Sequence, residues 1–444
     1  MQPAMFRMRF TTFGFPRRAL QLRSFSSSSC RYEIRDVEAL PRRLEPKYEE
    51  CCEGDLLSLR WPAPPRNILL VKKESEPTVT KSLIEFANHI SSTYPSIAII
   101  LERKTAAEVH SLLPFPVYSI SSGQKSSTAL HNKVDLTVTL GGDGTILRAS
   151  SLFATCYNVP PVLSFSMGTL GFLSEWRFAE YKRAFREVYM SGAGVGDRAS
   201  VLEGSKLTGT DNQTTAEMGP TGWSSVRGKS MGLTREARIL LRNRLKVGLF
   251  GPEGTLIHNK GGIPLKSTDI EQGVYVMNEV VIHRGKEPHL AIVEVFVGGR
   301  FLTEAVADGM IVSTPTGSTA YSLSSGGSIV HPLVASILLT PICARSLSFR
   351  PLVLPHSTPI TLRMSEKNRG RELEVSIDGM SVGRGMAAGM EVRVWNEEVR
   401  HNQNDWHGGV PCVMRRTVGG EAHDGWVGGL NGMLKFNYPF GEER

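Results

Sequence analysis

No run of about 18 apolar residues occurs in this 444-residue chain, so no membrane-spanning helix is expected. Cysteine is scarce. Cys30, Cys51, Cys52, Cys156, Cys343 and Cys412 form no CxxC pair and no Cys/His spacing suited to zinc. They read as reduced thiols, structural or incidental, in a reducing compartment. Acidic residues and lysine are missing from the first 32 positions, where Arg7, Arg9, Arg17, Arg18, Arg23 and Arg31 precede or flank a serine run. That composition predicts a mitochondrial transit peptide, hence the matrix, with Arg23-Ser24-Phe25-Ser26 resembling a processing site. The formal charge of +8 is concentrated there: without those six arginines, 45 basic residues face 43 acidic ones. The near-neutral remainder gives no support for a nucleic-acid partner.

What is present suits a packed protein of two domains, with 41% apolar and 21% charged residues. After the leader (1–32), residues 33–66 carry five prolines and read as an arm or linker. From 67 to 191, short apolar runs (Ile68–Val71, Ile97–Leu101, Val134–Leu140, Val162–Phe165) alternate with helical spacing (Val79–Ile90, Ala106–Leu113, Phe178–Tyr189). This predicts a Rossmann-like α/β domain with a parallel sheet. Residues 192–236 are a Gly/Ser/Thr-rich insertion. From 237 to 395 the pattern shifts towards a period of two, with a loop insertion at 251–273 and a Gly298-Gly299 hairpin turn. An all-β domain is expected there, and the tail 396–444 should pack back on the core.

The run Thr137–Leu140 breaks into Gly141-Gly142-Asp143-Gly144-Thr145 before a helix. Ligands bind at the carboxyl ends of parallel strands, and glycines let a backbone approach them closely. Gly141, Gly142 and Thr145 are therefore candidate phosphate contacts, with Arg148 one turn further on. The turn is neither a Walker loop nor GxGxxG, which argues against a P-loop and against hydride transfer. A carboxylate repels phosphate. Asp143 makes sense if it faces a hydroxyl that attacks phosphorus, or helps hold Mg²⁺; otherwise it is a helix cap. A second cluster, Asp308 to Gly327, is dense in hydroxyls, and no charged residue occurs from Gly309 to Ala344. It suits ribose hydroxyls and an amide. A third, Asn278-Glu279, could clamp a ribose diol or an adenine edge.

Together these residues resemble the NAD kinase family. The resemblance is carried by Gly141–Thr145, Asn278-Glu279 and the loop Thr314-Pro315-Thr316-Gly317-Ser318-Thr319-Ala320-Tyr321-Ser322, supported by Gly168–Leu173 and Ser346–Pro351. The leader and tail look most like the mitochondrial NADH kinase branch. The resemblance implies ATP-dependent phosphorylation of the adenosine 2′-hydroxyl of NAD(H), with Mg²⁺ or another divalent metal. It also implies a Rossmann-like domain followed by a β-sandwich, and a homo-oligomer whose neighbouring subunits often complete the site. By that analogy Asp143 is the general base and Gly144 approaches the dinucleotide, and Phe172 stands near adenine. Asn278 and Glu279 hold a ribose or adenine, and Asp308 contacts the nicotinamide end. Thr316, Thr319, Ala320, Tyr321 and Ser324 line the dinucleotide site. Where the family usually has Pro-His, this chain has Ala344-Arg345. A lipid kinase of the diacylglycerol type shares the GGDGT turn and is the enzymatic alternative; a dinucleotide sensor would not need Asp143.

Overall fold

The computed structural model describes residues 33–51, 55–94, 96–120, 128–168, 171–193, 236–257, 273–383, 385–402 and 405–415, with isolated residues 426, 430 and 434. The leader, most of both insertions, Thr169-Leu170 and nearly all of the apolar stretch 434–440 lie outside these.

The first body is built on β1 (Ile34–Asp36), β2 (Lys47–Glu50), β3 (Leu57–Arg60), β4 (Asn67–Lys72), α1 (Pro77–Thr93), β5 (Ala98–Leu101) and α2 (Arg103–Val109). It continues with β6 (Val117–Ser119), α3 (Thr128–His131), β7 (Leu136–Gly141), α4 (Asp143–Ser151), β8 (Val162–Ser166), β9 (Trp176–Arg177), α5 (Tyr181–Tyr189) and β10 (Ala237–Arg242). Every residue of β4, β7 and β8 is buried, which is why they read as continuous apolar and threonine runs rather than alternating ones. They pair in parallel in the order β5-β4-β7-β8, so their carboxyl ends share one edge. α1 starts at Pro77 and buries Val79, Leu83, Phe86, Ala87 and Ile90, a helical stripe laid on the sheet.

The second body comprises β11 (Leu245–Phe250), β12 (Val274–Val276), β13 (Glu279–His283), β14 (Ala291–Val297), β15 (Arg300–Ala307), β16 (Gly309–Ser313) and a short helix α6 (Tyr321–Ser324). After these come β17 (Ser336–Ile342), β18 (Leu352–Pro355), β19 (Ile360–Met364), β20 (Glu374–Ile377), β21 (Met380–Ser381) and β22 (Glu391–Asn396). Two six-stranded sheets, β12-β11-β22-β19-β14-β15 and β18-β17-β16-β13-β20-β21, enclose one apolar core. This is the expected sandwich. Gly298 (φ 58°) and Gly299 (φ 75°) turn β14 into β15, the left-handed pair that a two-residue hairpin needs. A small hairpin, β23 (Arg400–Asn402) and β24 (Asp405–His407), leads to β25 (Val410–Met414).

Two expected boundaries are corrected. The stretch 33–66 is not a linker: β1 pairs with β6, and β2 and β3 extend the sheet's other side through β10. Its prolines sit between the strands, while Val37, Leu40, Tyr48, Leu59 and Trp61 are buried. The buried Asp135 carboxylate ties the arm down, accepting the backbone N–H groups of Leu44 (2.7 Å), Arg66 (2.7 Å) and Asn67 (3.0 Å). Nor does the sandwich begin at 237. β10 belongs to the first sheet, and the chain crosses to the sandwich only at Asn243-Arg244. Of the tail, the described stretch up to Arg415 packs back, with β25 lying between β8 and β10; the expectation for 416–444 falls almost wholly outside the described residues.

Candidate active site

β7 delivers the glycine turn to the carboxyl edge of the sheet. A side chain on Gly141 would meet Thr145 Oγ1 at 2.1 Å, whereas Cβ atoms on Gly142 and Gly144 would meet nothing within 4 Å. The turn is therefore packed underneath and open above. Asp143 opens α4, and its side chain crosses to the loop after β8: Oδ2 accepts from Phe172 N (2.9 Å) and Oδ1 from Leu173 N (3.1 Å). Gly171 is required there, because a Cβ would lie 2.1 Å from Asp143 Oδ1. Two of the carboxylate's roughly four acceptor positions are thus used, which leaves capacity for a substrate hydroxyl. Asp143 is not capping its own helix.

Arg148 does not fill its expected role. Its guanidinium is paired with Glu74 (2.7 Å) and Glu102 (2.8 Å), and a cation held by two carboxylates has little charge left for a phosphate. Burial raises the Glu102 pKa, with Arg148 pulling the other way.

The second and third clusters form one unit. Thr314 N donates to Asn278 O (2.9 Å), Thr314 Oγ1 to Met277 O (2.7 Å), and Gly317 N to Thr314 Oγ1 (3.0 Å). Ser318 and Ser322 face inwards, bonding Val330 and Thr340. Thr319 and Ala320 are half-buried, and Tyr321 and Ser324 are exposed, so part of the candidate lining faces an accessible side. Thr316 is buried.

Sequence reasoning missed two residues. In the sequence Asp378 reads only as part of a hairpin turn, the signal being the Asp-Gly pair after β20. Its carboxylate accepts the N–H groups of Met277 (2.9 Å), Asn278 (2.7 Å) and Glu279 (3.2 Å), and its backbone is left-handed at φ 46°. Arg242, fully buried at the end of β10, reaches Phe172 O and Thr316 Oγ1, both at 3.5 Å. Phe172 is also the residue whose N–H holds Asp143. A chain of polar contacts therefore joins the glycine turn to the hydroxyl-rich loop across the two bodies.

Asn278 Oδ1 and Glu279 Oε2 are buried without a hydrogen-bond partner among the described residues. Unmet, each costs about 1–3 kcal/mol, so the pair suits a ligand that supplies donors. Burial, then the nearby Asp378 charge, pushes the Glu279 pKa up to about 8; burial lifts Asp378 to about 6. Glu279 thus binds its proton more tightly folded than unfolded. Its stabilising contribution is complete below the unfolded value of 4.5 and is lost as pH rises through about 8. Thermal melts of the ligand-free protein should show this fall, and Glu279→Gln should flatten it between pH 5 and 8. An unchanged pH slope in that variant would mean another group is responsible.

Asp308 lies apart from this unit. It precedes β16, whereas Thr314 follows it, so the five-residue strand between them sets them about 20 Å apart, six residue steps of extended chain. Its carboxylate accepts from Arg284 Nε at 2.6 Å. Within one chain it does not join the other candidate residues. No group of three or more His, Cys, Asp or Glu able to hold a metal occurs among the described residues.

Two family models match the chain: the ATP-NAD kinase N-terminal domain over residues 68–193 and the ATP-NAD kinase C-terminal domain over 277–399. The mitochondrial NADH kinase of Schizosaccharomyces pombe is 37% identical over 92% of this chain and 86% of its own length. That of Saccharomyces cerevisiae is 33% identical over 87% and 84%. The crystal structure of yeast NADH kinase complexed with NADH superposes with a TM-score of 0.70 at 32% identity, covering 93% of this chain and 98% of that one.

Proposed function

Because this chain belongs to the NAD kinase family, as an ATP-using NAD(H) kinase of the mitochondrion, we propose that Asp143 is the general base of its phosphoryl transfer. The observation that carries this is the Asp143 carboxylate, fixed by two backbone N–H groups beside a glycine turn that is open above. The adenosine 2′-hydroxyl oxygen of NAD(H) attacks the terminal phosphorus of ATP. The bond to the bridging oxygen breaks, ADP leaves, and the hydroxyl proton passes to Asp143. In a loose transition state that proton moves late, after most of the bond to the leaving oxygen has broken.

Asn278 and Glu279 hold a ribose or adenine through their unpartnered oxygens, and the Gly317 turn fixes that clamp against the loop. Thr316, Thr319, Ala320, Tyr321 and Ser324 line the rest of the dinucleotide site, with Phe172 near the adenine. Gly141, Gly142, Gly144 and Thr145 form the floor under the transferred phosphoryl group. A divalent metal fits as a passenger on the nucleotide phosphates, since the protein supplies Asp143 as its only local carboxylate in the turn; bound, it would neutralise phosphate charge. The lipid-kinase alternative finds no support. It leaves the Asn278-Glu279 clamp and its matching loop without a ligand.

We also propose a homo-oligomer, in which Asp308 serves a neighbouring chain's site. The exposed Phe301, Leu302, Leu347 and Val353 offer apolar surface for such contact. The leader's composition supports delivery to the matrix. Purified full-length protein should sediment as an oligomer and form NADP(H) from ATP and NAD(H), with loss of activity on chelation. The same activity should appear in the matrix fraction of expressing cells. A monomer, chelator-resistant turnover, or activity confined to the cytosol would each remove the corresponding statement.

A further inference from the structure

The cation that meets the donor's phosphates has to be sought elsewhere than at Arg148. Among the described residues of the first body, Lys72, Lys73 and Arg148 are the basic side chains that β4 and α4 bring to the glycine turn, whereas Arg242 comes from β10, buried and turned to Phe172 O and Thr316 Oγ1. Arg148 is held by Glu74 and Glu102. Lys72, the last residue of β4, is buried and its Nζ is 3.0 Å from Glu108; Glu108 also accepts from Thr80. Lys73 differs from both. Its backbone N–H donates to Leu140 O (2.9 Å), which clasps it against the end of β7. Its Cβ stands 3.2 Å from the place a Cβ on Gly141 would take, so the side chain starts directly beside the turn. It is 59% exposed and pairs only with the exposed Glu76 at 3.3 Å among the described residues. Such surface pairs are weak and exchange readily.

We propose that Lys73 leaves Glu76 on donor binding and places its ammonium on the triphosphate of ATP, over Gly142 and Gly144. This rests on the kinase reading of the site. A cation on a flexible, solvent-facing stem suits the role: it can follow the phosphates from the bound donor to the departing ADP, whereas Arg148 is tethered to Glu74 and Glu102. The space above the two glycines, where a Cβ on either would meet nothing within 4 Å, is where those phosphates would lie.

The test compares the full-length parent with Lys73→Met, Lys73→Arg and Lys81→Met, the last an exposed lysine of α1. Binding of a non-hydrolysable ATP analogue with Mg²⁺ is measured by calorimetry, alongside steady-state kinetics. Lys73→Met should weaken analogue binding and raise KM for ATP by about ten- to hundredfold, the worth of one hydrogen bond between charged groups. KM for NADH should hold within about twofold, and raised salt should cost the variant less than the parent. Lys73→Arg should restore most of the affinity, and Lys81→Met should behave as the parent. The proposal is overturned if Lys73→Met binds the analogue normally, if both Michaelis constants rise together with a lower melting temperature, or if arginine rescues nothing. Because analogue binding needs no turnover, a parent that binds it but forms no NADP(H) would fail the kinase reading and leave the lysine result legible.

Discussion

Asp143→Asn is expected to lower kcat by about 10²–10⁴-fold, the usual range for loss of a general base, while dinucleotide affinity stays within a few-fold. The amide keeps the size of the carboxylate but not its basicity. It also sets an NH₂ donor against Phe172 N or Leu173 N, the two donors that hold the native carboxylate. Some loss of positioning is therefore included in the expected fall. Calorimetric titration with NADH separates the two effects, since the clamp at Asn278 and Glu279 is untouched. Normal turnover in this variant would remove Asp143 from the mechanism. Normal chemistry with lost binding would make it a structural tie between β7 and the loop after β8.

The second large effect is expected at Gly317. A methyl group there would lie 2.2 Å from Asn278 O, 2.6 Å from its carbonyl carbon and 2.9 Å from its Cα. All three are backbone atoms of the clamp, and that backbone is itself held by Asp378 and Thr314, so it has nowhere to move. Gly317→Ala should destabilise the protein by about 1–3 kcal/mol, the usual cost of overpacking. KM for the dinucleotide should rise at least about tenfold as the clamp shifts by a fraction of an ångström. Gly142→Ala is the control for stability, because its Cβ would meet nothing within 4 Å. It should melt like the parent. Equal melting temperatures and equal KM for Gly317→Ala would show that the loop and the clamp are not one unit.

Strands buried on both faces announce themselves as short apolar runs, and β4, β7 and β8 are legible for that reason. The α/β-then-β order follows from the same change of period. The arm misleads because prolines dominate its composition, whereas its strands depend on partners more than 50 residues away, such as β10 and β6. The glycine turn, the Asn-Glu pair and the hydroxyl-rich loop can be named from local chemistry. What local chemistry cannot show is who neutralises whom: Arg148 is claimed by Glu74 and Glu102, each from a different loop. Nor does it give direction along a strand, which is what carries Asp308 away from Thr314. Asp378 and Arg242 look like a turn residue and a strand end. Their roles exist only once β20 lies beside β13 and β10 lies beside the loop at Phe172.

The placement of β25 has a consequence for how the two bodies form. That strand fills a slot in the interior of the first sheet, between β8 and β10, yet it follows every strand of the sandwich along the chain. The first sheet therefore keeps an open seam until the whole sandwich, strung between β10 and β25, has been brought round to deliver it. Such sequence-distant closure slows folding and ties the completion of one body to the other.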